Sequence, residues 1–102
     1  MEENELEQAI DIALEGAPRA EQLTAMIDTL RQRRAGLVKE LQRTQDPAEK
    51  RELQKRIEEL DRQVATLNEQ RAISHFVEMS VRFSALRPIE AEASEEIEAG
   101  ED

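Results

Sequence analysis

His75 is the single histidine of the chain, and Glu78 follows it at the spacing His-x-x-Glu. On a helix this spacing puts both side chains on one face, where they offer an imidazole and a carboxylate to a metal ion. Di-iron bundles need several more inward-facing carboxylates and the order Glu-x-x-His. Here the order is reversed, and a second histidine exists only through dimer symmetry. A general-base role for His75 finds no Ser or Asp at a recognisable spacing. His75 therefore reads as a surface or interface histidine, and no catalytic residue, metal site or cofactor is expected. Cys is absent, which removes disulfides, thiolate metal sites and a cysteine nucleophile. Gly16, Gly36 and Gly100 are isolated and form no phosphate-binding loop.

Arg31, Arg33, Arg34, Lys39 and Arg43 form a local basic cluster that Glu40 interrupts. It could meet a nucleic-acid backbone or the acidic end of another copy, but the preferred reading is a solvated helix face that also balances neighbouring acids. The balance of the chain argues against direct nucleic-acid binding: 24 acids against 14 bases give a net charge of −10, and Phe76 and Phe83 are the only aromatics. The negative charge lies at the ends. Residues 1–18 carry six acids and residues 90–102 carry seven, neither with a base, so all 14 bases fall between 19 and 89 among the remaining 11 acids. The stretch 90–102 has too little apolar content to offset ordering entropy and reads as a disordered acidic tail after a domain at 1–89. No apolar run approaches the ~18 residues of a membrane span. The Met1-Glu2-Glu3 start lacks the basic and apolar regions of a signal peptide, so a cytoplasmic location is expected.

The elements follow from periodicity and punctuation. Leu6, Ile10 and Leu14 share one helix face, which predicts a helix at about 4–15 that Gly16 and Pro18 end. Gly16 suits the left-handed position past the helix end, and Pro18 suits the first turn of the next helix. Leu23, Ile27, Leu30, Arg34, Leu37 and Leu41 are spaced 4-3-4-3-4, and the spacing returns in Leu53, Ile57, Leu60, Val64, Leu67 and Arg71. Between the two runs Asp46 suits a helix cap, Pro47 the first turn and Glu49 a capping box. The expectation is an antiparallel, coiled-coil-like helical hairpin of helices at about 18–44 and 47–86, its rival a single helix kinked at Pro47. Leu41 would lie near Leu53, Leu37 near Ile57, Leu30 near Val64 and Ile27 near Leu67. Arg34, a charge in the seam, would set register by pairing with an acid such as Asp61. On the exposed face, Glu52–Arg56 and Glu58–Arg62 are expected as i,i+4 pairs.

At ~1.5 Å per residue the first arm spans ~40 Å and the second ~60 Å. The overhang at 72–86 is the most apolar part of the chain, with Ile73, Phe76, Val77, Met79, Val81, Phe83 and Leu86 as candidate partner-binding residues. Folding the N-terminal helix back would cover one side of it and leave the other bare. A second reading of the same stretch is a β-strand at 77–85. There Val77, Met79, Val81, Phe83 and Ala85 alternate with Glu78, Ser80, Arg82 and Ser84. It would need a second copy or a partner's sheet edge to pair with.

Two helices with one seam bury little, so the hairpins are expected to pair as a homodimer in a helical bundle. The chain thus reads as an all-α, non-enzymatic interaction module: an adaptor, assembly factor or regulatory subunit that binds another protein through 72–86. The alternative is an inhibitor or antitoxin-like protein whose acidic ends occupy a basic, nucleic-acid-binding surface. Heptads recur across unrelated proteins and identify no family.

Overall fold

The computed structural model describes residues 2–86, with the side chain of Leu86 left out. The expected tail at 90–102, and the boundary at 89 that would precede it, lie outside the described residues. Three helices account for nearly everything within them: α1 (Glu3–Leu14), α2 (Ala20–Arg43) and α3 (Pro47–Leu86). None of them is long and apolar enough to cross a membrane.

The breaks between helices follow the punctuation, with local differences. After α1 it is Glu15 that first takes a left-handed conformation, at φ 53, and Gly16 follows at φ 85. Two bonds close the turn, from Glu15 N–H to the Ile12 carbonyl and from Ala17 N–H to the Leu14 carbonyl. Pro18 does not open the next helix. α2 begins at Ala20, because Gln22 Oε1 reaches back to accept from the Arg19 backbone N–H at 3.1 Å and makes Arg19 the cap. Pro47 does stand first in α3, and Asp46 Oδ1 caps the helix by accepting from Ala48 N–H at 3.1 Å. Glu49 caps at one remove. The Thr44 hydroxyl donates to Glu49 Oε2 at 2.9 Å and accepts from Asp46 N–H at 3.4 Å, so threonine relays the capping box.

The strand reading of 77–85 is corrected: these residues are the last turns of α3. Nothing in the sequence stops the helix before them, and a helix sorts the same alternating residues differently. Val77, Val81 and Ala85 fall at i, i+4, i+8 on a half-buried strip, while Phe76, Met79 and Phe83 fall on an exposed one.

The chain divides into two compact units. The first combines residues 2–18 with the end of α3 from Ser74. Its core holds Ile10, which is fully buried, Leu14 and the buried Ser74. The Ser74 hydroxyl donates to the Pro18 carbonyl at 2.9 Å, and Arg82 Nη2 donates to Glu7 Oε1 at 3.0 Å. The second unit runs from Arg19 to Ile73. In it Arg34 Nε donates to Asp61 Oδ1 at 2.7 Å, and Arg71 Nη1 donates to the Thr24 hydroxyl at 3.4 Å. Moving back along α2 from Arg34 to Thr24 thus moves forward along α3 from Asp61 to Arg71, so the bonded positions run in opposite order.

Candidate interaction surface

Burial divides the predicted seam unevenly. Leu23, Ile27, Leu53 and Ile57 are buried, whereas Leu30, Arg34, Leu37, Leu41, Leu60, Val64 and Leu67 are half-buried. A pair of helices can cover only the strip where they touch, and side chains at the edges of that strip stay wet on one side. Leu30 and Leu67, with Met26 and Thr66, line an open groove of about 580 Å³. Gly36, Leu37 and Leu60 line a second hollow of about 430 Å³ that Glu59 shares with the first, and the two together make up the groove between α2 and α3. The rims are charged with both signs, by Arg33, Glu40, Arg56, Glu59 and Arg62.

The rim contains one close ion pair. Arg62 donates to Glu59 Oε2 through Nη2 at 2.7 Å and through Nε at 3.2 Å. These bonds hold the Glu59 carboxyl below its usual range, followed in effect by the arginine's charge and by a bond from Gln63. The same contact raises the Arg62 pKa. The expected Glu58–Arg62 bridge is therefore corrected: i,i+3 and i,i+4 are both within reach on a helix, and Arg62 takes the i,i+3 acid. Glu52 and Arg56 do approach, at 3.9 Å.

The first unit presents a different face. Ser74, Val77, Val81 and Ala85 turn inward or partly so, which leaves Phe76 (72% exposed), Phe83 (63%) and Met79 (48%) in water. With Ser80 and Ser84 these three line an open hollow of about 340 Å³. Ile73, the last residue of the other unit, is also exposed. The side chain of Leu86 lies outside the described residues. Two exposed apolar residues were not among those expected: Met26 on α2, 46% exposed, and Ile12 on α1, 76% exposed. For Ile12 the signal was available, since the face defined by Leu6, Ile10 and Leu14 excludes position 12.

His75 is exposed and Glu78 half-buried, and among the described residues no three His, Cys, Asp or Glu side chains gather as a metal site. What the Phe76, Met79 and Phe83 face offers is apolar area with hydroxyls between, suited to removing a partner's apolar side chains from water. No protein-family model, no curated protein and no solved structure matches this chain.

Proposed function

We propose that the protein is a cytoplasmic, non-enzymatic interaction module that docks another protein on the face formed by Phe76, Met79 and Phe83. One observation carries this reading: two phenylalanines and a methionine stand largely in water on a single helix face, with a hollow between them. Large apolar side chains gathered in this way mark binding sites, because leaving them hydrated forgoes ~25 cal/mol for each Å² that burial would remove from water. Val77 and Val81, half-buried on the adjoining strip, back the set. The scaffold is an antiparallel coiled-coil-like hairpin that pairs with a second copy in a helical bundle. The opposed order of the Arg34–Asp61 and Thr24–Arg71 bonds supports the hairpin.

A second reading draws on charge. The described residues of the first unit carry seven acids and one base, Arg82. An inhibitor that covers a basic surface would use that excess. Salt separates the two. Bound protein recovered on the immobilised chain should persist at ~1 M salt, where the Debye length is ~3 Å, and should be lost from a Phe76→Ser/Phe83→Ser variant of unchanged helicity. Binding that ignores the double substitution, or that salt removes, sinks the apolar reading.

A further inference from the structure

We infer that the open groove between α2 and α3, and not the Phe76–Met79–Phe83 face, seats the second copy of this chain. The inference rests on the proposed self-association and adds to it which surface is used. Charge is the first ground. The unit that holds the groove, Arg19–Ile73, carries twelve bases and ten acids, whereas the described residues of the other unit carry seven acids against one base. Bringing two copies together through the acidic unit would set like charges against each other. Bringing them together through the groove sets two nearly balanced surfaces face to face.

The rim agrees with this. An interface between identical copies about a two-fold axis must be complementary to itself, which requires both signs on one patch. Arg33, Arg56 and Arg62 stand there with Glu40 and Glu59 around the half-buried Leu30, Leu37, Leu60 and Leu67. Two such patches would complete the four-helix layer that a pair of helices leaves half open.

Gly36 supplies an independent ground. It sits in the interior of α2 and lines the groove, where a glycine weakens a helix. The chain's own packing gives no reason for it, because a Cβ at this position would meet nothing within 4 Å. Close approach of a helix from a second copy does give one.

Sedimentation equilibrium of the full chain tests the assignment. The wild-type chain and the Phe76→Ser/Phe83→Ser variant should both be dimers. Gly36→Gln, a better helix former with a side chain that fills the groove, should raise the dissociation constant by roughly tenfold or more while helix content holds or rises. Should that variant lose helix content, Met26→Glu, an exposed position in the same groove, decides the matter in its place. A wild-type chain that is monomeric throughout overturns self-association itself. A dimer that survives the groove substitutions, or that dissolves when Phe76 and Phe83 are replaced, overturns the choice of surface alone.

Discussion

Replacing Arg34 with leucine probes what a charge is doing in a row of apolar seam positions. Arg34 stands between Leu30 and Leu37 and bonds Asp61 at 2.7 Å, with the two side chains 44% and 51% exposed. Half in water, such a pair contributes ~0.5 kcal/mol, because solvent and salt screen it and both side chains lose rotamer freedom. A leucine in its place would bury about half of a side chain whose full burial is worth ~2 kcal/mol, a gain of ~1 kcal/mol. Asp61 would lose its partner but keep its water, at little cost. The net is a gain of about 0.5 kcal/mol, or ~2–4 °C in melting temperature for a chain of this size. A leucine at position 34 also removes the feature that distinguishes one register from another, so the mass distribution should broaden. Thermal denaturation followed by circular dichroism, with sedimentation at the same concentration, measures both effects. A melting temperature lowered by ~5 °C with unchanged mass would refute the reasoning, since the ion pair would then be worth more than its exposure allows.

Three further outcomes follow from the same contacts. Ile10→Ala, at a fully buried position, should cost ~2–5 kcal/mol in chemical denaturation, while Ile12→Ala, 76% exposed, should stay within ~0.5 kcal/mol of wild type. The relay at the α2–α3 break predicts that Thr44→Val and Glu49→Gln are coupled: in a double-mutant cycle the second change should cost less once the first is made, and strict additivity would argue against the relay. Glu59 titrates below its unfolded value, so its contribution to stability is present above ~4.3, the usual glutamate pKa, and fades as pH falls through the lower folded value. Glu59→Gln should flatten that acid limb slightly, and a change confined to pH above 6 would contradict the assignment.

The periodicity of leucines and isoleucines was enough to place three helices, and Asp46-Pro47 to place the break between the last two within a residue. The Arg34–Asp61 contact was also readable, because a seam arginine needs an acid and the expected register put one opposite. What spacing could not convey is coverage. It assigned Leu30, Leu37, Leu60 and Leu67 to the same seam as Leu23 and Ile27, yet the former line an open groove and the latter are fully buried. Periodicity identifies a face, and only packing decides what lies against it. The alternation at 77–85 was ambiguous for a related reason: β-branched and aromatic residues at every second position also satisfy two strips of a helix once the turns before them are helical. Hydroxyl relays such as that of Thr44, and the choice of Glu59 over Glu58 by Arg62, depend on rotamers that no sequence pattern encodes.

In the proposed arrangement two surfaces divide the labour: a second copy sits in the groove and a different protein docks on the exposed phenylalanines. The most direct test is the solution mass of the Phe76→Ser/Phe83→Ser chain at concentrations where the wild type is fully associated. Both proteins should sediment at twice the chain mass. A variant that sediments as a single chain beside a dimeric wild type would contradict this arrangement, because the phenylalanine face would then hold the copies together.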